Sequence, residues 1–368
     1  ASDSSGSASL NYASALSTDK TPFNDPLGYV FGEGGDQDII KCGSYVGNNS
    51  STAGPEIDLG WEPSFLLIKE SSGSGDWAIF DSMRGIVTDG NDGYLHPNLV
   101  DDETSNQRVD LTSTGFNLRG TWNFVNESGE TYFYMAIRRP DGYVGKPADA
   151  GTDVFAIDTG AGGSTVPGFD SGFPVDLALA RQPASSNNWY TYSRLTGPKY
   201  VRTDVTDAQG NDTNYAFDSN VGWYTSINNI YQSWMWKRHA GMDVLTYTGN
   251  GTANHAIKHS LSKNPEMIWF KRRDGVSNWT VWHHGLNGGS NNLNYQVTFS
   301  TYGENAGGNI LALNALSFTL NFGTNTNGNN DDMIAMLFAS VNGISKVGSY
   351  TGNGNAIGSS PLTITTGF

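Results

Sequence analysis

Histidines are the first side chains of this chain whose spacing could support metal chemistry. His255 and His259 lie four residues apart, and His283 and His284 are adjacent. A four-residue spacing suits a zinc site on a helix, but these residues lie between a glycine-rich turn and an apolar strand, where they share a face only loosely. We therefore favour ordinary hydrogen-bonded or solvated histidines over a zinc site.

Acidic loops are the second group of candidates. The stretch from Asp89 to Gly93 reads DGNDG, and further carboxylates cluster at 101–103 and 331–332. Loops of this composition can bind Ca²⁺ through carboxylate and carbonyl oxygens, so Asp89, Asn91 and Asp92 are the predicted ligands of calcium, the one cofactor that the sequence suggests. Solvated turn residues are the alternative, because neither loop completes an EF-hand pattern. The sequence contains no nucleophile elbow or phosphate loop.

Aromatic rings mixed with amides form the third group. Sugar-binding sites place an aromatic face against the C–H side of a pyranose and polar groups around its hydroxyls. Strand alternation predicts that Tyr190 points away from Trp189 and from the core. Packing of these rings against a neighbouring unit is the favoured alternative to ligand binding. The predicted ligand-binding residues are Tyr190, Tyr224, Tyr231, Trp234, Trp282 and His283.

A hairpin that the chain repeats three times must position these candidates. In each copy a basic residue precedes a tryptophan by eight positions, and a polar seven-residue loop separates the two. A polar loop between two apolar strands predicts a β-hairpin, with the tryptophan ring covering the edge of the core and its N–H bound in the adjoining loop. The three pairs are Lys69 and Trp77, Arg181 and Trp189, and Lys271 and Trp279, preceded nine residues before the basic residue by Gly60, Gly172 and Ser262.

The fold class follows from many short strand-like runs separated by Gly, Asn, Asp and Ser. With 46 glycines and 12% aromatic residues, and without helical periodicity between the runs, the chain predicts tandem antiparallel β-sandwiches. SYTGNG at 349–354 repeats TYTGNG at 246–251, which predicts the start of a fourth unit, with a closing strand of the third as the alternative. The predicted divisions are an N-terminal linker or partner-bound arm at 1–37, units at 38–150, 151–242 and 243–345, and the last segment at 346–368.

Charge and cysteine content restrict the partners. A net charge of −15 disfavours nucleic acid, which is bound through clustered Lys and Arg. No apolar run approaches the length needed for insertion into a membrane. The single cysteine, Cys42, lies on an apolar strand, where we expect a small buried hydrophobic residue.

Six segments carry a resemblance to a known family. They are GYVFGEGGDQDIIKCGSYVGN, LGWEPSFLLIK, WAIFDSMRG, YMAIRRPDGYVGKP, FDSGFPVDL and DVLTYTGNGTANHAIKHSLSKNPEMIWFKRRD. Together they resemble the repeat-containing, tail-fibre-like structural proteins of marine tailed bacteriophages, especially cyanophage-like ones. The resemblance covers residues 28–368 and implies concanavalin A-like or laminin G-like sandwich repeats of the jelly-roll type. The second unit departs from the pattern, since AIDTGAG stands where GSYTGNG is expected.

The resemblance implies a virion structural protein on the particle surface. Other virion proteins are the expected partners, a homo-oligomer is expected with a trimer favoured, and adhesion to a host-surface glycan is the expected binding role. A polysaccharide-active enzyme or carbohydrate-binding module is one alternative, and a head decoration protein or architectural spacer is another. Repetition favours binding or architecture over catalysis, because multiplying a weak binding unit raises avidity. The resemblance implies no catalytic residue.

Overall fold

The computed structural model describes residues 39–140, 148–162, 166–226, 230–299, 303–354 and 362–367. These residues form antiparallel strands joined by turns, which confirms the predicted all-β fold class. Within the same ranges there is no α-helix, and hence no helix long and apolar enough to cross a membrane. The predicted N-terminal arm at 1–37 lies outside the described residues.

The described strands fall into three units. Unit 1 contains β1 Ile40–Val46, β2 Glu56–Asp58, β3 Pro63–Glu70, β4 Trp77–Asp81, β5 Asp92–Leu95, β6 Thr104–Asn106, β7 Val109–Thr112, β8 Gly115–Leu118 and β9 Thr131–Arg138. Unit 2 contains β10 Phe155–Thr159, β11 Phe169–Asp170, β12 Leu177–Arg181, β13 Tyr190–Ser193, β14 Lys199–Arg202, β15 Gly210–Asn211, β16 Tyr215–Ala216, β17 Gly222–Thr225 and β18 Gln232–Trp236. Unit 3 contains β19 Met242–Thr248, β20 His255–Lys258, β21 Met267–Arg272, β22 Thr280–His283, β23 Tyr295–Thr298, β24 Asn305–Ala306, β25 Ile310–Leu313, β26 Ser317–Leu320 and β27 Asp332–Phe338. Short 3-10 helices lie at Gly151–Asp153, Arg194–Thr196, Leu286–Gly289 and Asn292–Asn294.

All three units have the same strand order. Each pairs a six-stranded sheet with a three-stranded sheet, and corresponding strands occupy corresponding places. The six-stranded orders are β1-β9-β3-β4-β5-β6, β10-β18-β12-β13-β14-β15 and β19-β27-β21-β22-β23-β24. The three-stranded orders are β2-β8-β7, β11-β17-β16 and β20-β26-β25. The chain is therefore one supersecondary plan used three times.

The two sheets of each unit enclose a hydrophobic core. In unit 1, Leu66 and Ile68 of the large sheet and Phe116 and Leu118 of the small sheet are all fully buried in one cluster. Successive side chains of a strand point to opposite faces, so the residues between them, such as Leu67, point away from the small sheet. We call this second side of each six-stranded sheet its outer face.

In every unit a left-handed turn precedes the strand that comes second, in chain order, in the six-stranded sheet. These strands are β3, β12 and β21. Gly60 and Gly172 have φ values of 82° and 77°, and Ser262 at the same place has a φ of 57°. Side chains two residues earlier close the turn: Asp58 and Asp170 accept the N–H of Gly60 and Gly172 at 2.8 and 3.0 Å. The repeated glycine reflects this backbone conformation, which disfavours residues with a Cβ atom.

A buried asparagine organises the first turn of units 1 and 3. The Asn126 amide accepts the N–H of Asn48 at 2.9 Å and donates to the carbonyls of Ser50 and Gly120. Asn327 makes the same set of bonds in unit 3, to Asn250, Thr252 and Asn321. Unit 2, which lacks the GNN or GNG sequence, begins with a strand of five residues instead of seven.

Four buried charged side chains join the three units. Glu62 of unit 1 lies 2.7 Å from Arg238 at the end of unit 2, and Arg139 at the end of unit 1 lies 3.3 Å from Asp243 of unit 3. Burial raises the pKa of Glu62, while Arg238 and Arg139 act in the opposite direction. We call these four residues the central charge cluster. Moving one unit away would leave a charge buried without its partner, which is costly. The cluster therefore holds the three units in one arrangement.

Candidate functional site

The repeated basic residue closes the loop of its own hairpin. Lys69 Nζ donates to the carbonyl of Gly75 at 2.7 Å, and Lys271 Nζ donates to the corresponding carbonyl of Ser277, also at 2.7 Å. In unit 2, Arg181 makes a longer bond of 3.4 Å to the carbonyl of Ser185. In units 1 and 3 the spacing to the tryptophan is thus the length of loop that one ammonium group can cap.

The repeated tryptophan lies on the outer face, not at the edge of the core as predicted. Trp77 pairs with Lys69 across the hairpin, and both residues point away from the small sheet. The predicted partner of the indole N–H is also wrong in unit 3, where Trp279 Nε1 donates to the carbonyl of Arg202 in unit 2 at 2.7 Å. The outer face, with a tryptophan at one end in every copy, is therefore the surface that the repeat presents.

In units 2 and 3 the outer faces pack against each other. The shared cluster contains Leu177 and Val201 of unit 2 and Val244, Met336 and Trp279 of unit 3, all nearly or fully buried. This second apolar layer explains why β12, β21 and β27 are apolar on both sides, since both of their sides are covered.

Polar contacts fix this interface at its edge. Lys271, fully buried, also donates to the carbonyl of Thr206 in unit 2 at 2.9 Å, and burial lowers its pKa to about 8. Arg273, 1% exposed, binds Gln209 of unit 2 and the carboxylate of Asp89 in unit 1 at 2.7 Å. The basic run at the end of β21 therefore holds the units together.

The outer face of unit 2 remains partly open beyond this interface. The rings of Trp189 and Trp234 lie 5.1 Å apart with an interplanar angle of 36°, and the Arg181 guanidinium lies 5.1 Å from the Trp189 ring centre. Both tryptophans are half-buried, and the neighbouring Ile157 is 52% exposed. We call Arg181, Trp189 and Trp234 the tryptophan platform. It offers aromatic surface beside a cation, with the amides of Gln182 and Asn187 following in the loop.

The outer face of unit 1 is open. Its exposed apolar residues include Ile40 at 59%, Val46 at 57% and Phe133 at 40%. Cys42 is exposed in the middle of β1, so its predicted burial is wrong: it points outward, where no other described residue of the chain covers the strand. We call the following six residues the unit 1 face: Ile40, Cys42, Val46, Leu67, Phe133 and Met135.

Three of the predicted ligand-binding residues point inward. Tyr190 packs with the core of unit 2, and its ring lies 5.1 Å from that of Tyr200, which corrects the prediction that it faces outward. Tyr231 is 6% exposed in the same cluster. Trp282 is 3% exposed in the core of unit 3, and its indole N–H binds the carbonyl of Asn292. Trp189 and Tyr190 do point to opposite faces, but Trp189 lies on the outer face and Tyr190 on the core face.

The remaining predicted ligand-binding residues do not form one site. Trp234 belongs to the tryptophan platform, whereas Tyr224 is half-buried on the small sheet of unit 2, next to the core residue Trp223. His283 lies in unit 3 with its ring 4.6 Å from that of His284, and its pKa is lowered by burial and by His284. Sequence reasoning missed Trp189 and Arg181 as surface residues, although their repeated spacing marked them.

Two of the three predicted calcium ligands, Asp89 and Asp92, have protein partners. Asp92 is fully buried and accepts backbone N–H groups from Val87, Arg108 and Val109. Burial raises the pKa of Asp92 to about 8, against the effect of these three donors. Asp89 binds Arg273, and Asn91 is exposed. In the part of the chain that the structure describes, no three His, Cys, Asp or Glu side chains are grouped to hold a metal. Calcium binding thus stays a prediction.

A cavity of about 640 Å³ lies between units 1 and 2, beside the central charge cluster. Its lining includes Phe65, Met83 and Leu195 as well as charged groups. Arg194, one of these charged groups, is already bound to the carbonyls of Val175, Ser82 and Phe217. The charged lining therefore serves mainly to join the two units.

Fold and surface together define a protein of repeated antiparallel sandwiches that are joined through sheet faces and buried charges. Comparison with known families places the chain more narrowly. Residues 2–139 and 226–368 match the model of a family described as a domain of unknown function, DUF7483, and the chain belongs to this family. Most of unit 2 falls outside the matched residues. No curated protein matches the chain.

Proposed function

We propose that this protein is a structural, non-enzymatic component of a bacteriophage particle, a tail-fibre-like surface appendage that contributes to adhesion to host-surface glycans. The observation that carries the adhesive role is the tryptophan platform. It combines two half-buried indole rings with a stacked guanidinium and nearby amides, which is the combination that pyranose recognition uses.

The structural role is supported by how the units are joined. The central charge cluster and the bonds of Lys271 and Arg273 tie each unit to the other two. Such connections suit a rigid rod or lobe more than independent domains on flexible linkers, because the relative positions of the units are fixed by buried contacts. We further propose that the units are of the concanavalin A or laminin G type and that the chain assembles with other virion proteins.

Glycan binding is tested on the full chain with a glycan array and with host-cell adhesion. We expect binding by the wild type and its loss in Trp234→Ala, because the variant removes one of the two rings of the platform. Trp77→Ala is the control: it removes the unit 1 counterpart of Trp189, in a unit where Met135 stands at the place of Trp234 and so no second indole ring completes a platform. Absence of binding by the wild type, or equal loss in both variants while both remain folded, would contradict the proposed site.

A further inference from the structure

The unit 1 face is the one outer face of the three that the described residues leave without an apolar cover. Strand register makes Cys42 of unit 1 equivalent to Val244 of unit 3, and Met135 equivalent to Met336. Val244 and Met336 are fully buried against unit 2, whereas Cys42 is exposed and Met135 is only half-buried. The same surface is thus covered in one copy and open in another.

The chemistry of the unit 1 face indicates what kind of partner it fits. Its six residues carry no charge, although the chain has a net charge of −15. The nearest cation, Lys69, is occupied by the carbonyls of Glu70 and Gly75. A partner surface must therefore be apolar and flat rather than charged. A contiguous exposed apolar patch of this kind marks an interaction site on a soluble protein.

The face supplies the apolar centre of a contact and not the whole of it. Its six residues lie on three neighbouring strands, β1, β9 and β3. With strands about 4.8 Å apart and a length of about seven residues, its projected area is roughly 300 Å². A standard interface buries about 800 Å² on each partner, so a contact through this face also takes in the surrounding loops and is a reversible one.

We infer that two copies of this chain associate through their unit 1 faces, packed on each other around a two-fold axis. The chain itself supplies the precedent, because the outer faces of units 2 and 3 already bury one another. A second copy presents an equally flat and uncharged surface, so the pairing buries apolar area without burying an unpaired charge. This contact assigns the unit 1 face to assembly and leaves the tryptophan platform of unit 2 free.

Sedimentation equilibrium of the full chain over a hundredfold range of concentration tests the pairing. We expect a reversible monomer–dimer equilibrium, with the dissociation constant raised at least about 100-fold by Val46→Glu and by Phe133→Glu, because each would bury a carboxylate. Leu316→Glu is the matched control: it adds the same charge at a leucine that is 66% exposed on a turn of unit 3, and it should leave the equilibrium unchanged.

Several outcomes would overturn the inference. They are a monomer at every concentration, a trimer, and a dimer that Val46→Glu and Phe133→Glu leave intact. Another such outcome is a monomer in which Cys42 reacts with a thiol reagent only after residues 1–38 are removed. That result would mean that residues 1–38, and not a second copy, cover the unit 1 face. Because Cys42 is the single cysteine, loss of its thiol reactivity at concentrations where the dimer forms would support the pairing.

Failure of this test is distinguishable from failure of the proposed function. Glycan binding depends on Trp234 in unit 2, whereas the dimer depends on Val46 and Phe133, both in unit 1. Val46→Glu should therefore abolish the dimer and leave binding of each chain to a glycan unchanged.

Discussion

The outer faces of unit 1 and unit 3 are built from the same hairpin and have opposite surroundings. In unit 3 the hairpin tryptophan, Trp279, is 2% exposed and binds the backbone of unit 2. In unit 1 the corresponding Trp77 is half-buried, and its ring packs edge-on against Phe133 at 5.4 Å. The comparison teaches that the repeat provides a surface able to pack on another sheet, and that the neighbouring unit decides whether it does.

Truncation of the two tryptophans should show the largest difference between these faces. Trp279→Ala removes a buried ring from the unit 2–unit 3 interface and leaves the Arg202 carbonyl without its donor, so we expect a loss of about 3–5 kcal/mol in the free energy of unfolding. Trp77→Ala should cost about 1 kcal/mol, which is the value of an edge-on aromatic pair. Urea denaturation of both variants measures this difference, and equal costs would show that the two environments do not differ.

The capping lysines give the next largest difference. Lys271→Met leaves the carbonyls of Ser277 and Thr206 without donors at a buried interface, and we expect a loss of about 2–3 kcal/mol. Lys69→Met leaves carbonyls beside an exposed loop, where water can replace the ammonium, so the expected loss is below about 1 kcal/mol. Thermal unfolding of the matched pair tests this expectation. A larger loss for Lys69→Met would contradict the assignment of Lys271 to the interface.

Acidification should destabilise unit 3 more than unit 1, and the difference should be smaller than those caused by the substitutions. His239, 8% exposed at the junction of units 2 and 3, has its pKa lowered to about 4 by burial and by Lys237. Below a pH of about 6.5, His239 therefore binds a proton in the unfolded chain but not in the folded chain. The free energy of unfolding that is present above this pH is lost as the pH falls towards 4. Between pH 7 and 5 the loss is about 2 kcal/mol.

Hydrogen exchange of the full chain at these two pH values, followed separately in each unit, measures the effect. Strands β19 and β27 of unit 3 should lose protection at pH 5 before strands β1 and β9 of unit 1. His239→Gln should remove most of the difference, because its amide can still accept the N–H of Gly241. Simultaneous loss of protection in all three units, unaffected by this variant, would speak against His239 as the origin.

Much of the fold was accessible from sequence because its determinants are local. Strand-length apolar runs, turn residues and the repeated eight-residue spacing predicted antiparallel hairpins. The outward placement of Trp189 and the inward placement of Tyr190 were not accessible, because strands such as β12 and β13 are covered on both faces and their alternation does not identify the core side.

Contacts between units were also beyond sequence reasoning. Arg273 binds Asp89 across 184 positions of the chain, and Arg238 binds Glu62 across 176. Nothing local distinguishes these charges from solvated ones, so Asp89 was interpreted as a calcium ligand. The exposure of Cys42 was missed for the same reason: an apolar strand indicates a buried face, and the sequence does not reveal that no neighbouring unit covers it.

The most direct test of the account is the oxidation of two equivalent methionines. Met336 is fully buried between units 2 and 3, and Met135 occupies the same place on the unit 1 face. In protein dilute enough to be monomeric, peroxide should oxidise Met135 much faster than Met336, as followed by peptide mass spectrometry. Protection of Met135 at higher concentration would then report the pairing of two unit 1 faces. Equal oxidation rates for the two methionines in the dilute protein would contradict the claim that one copy of the repeated face is open and the other is closed.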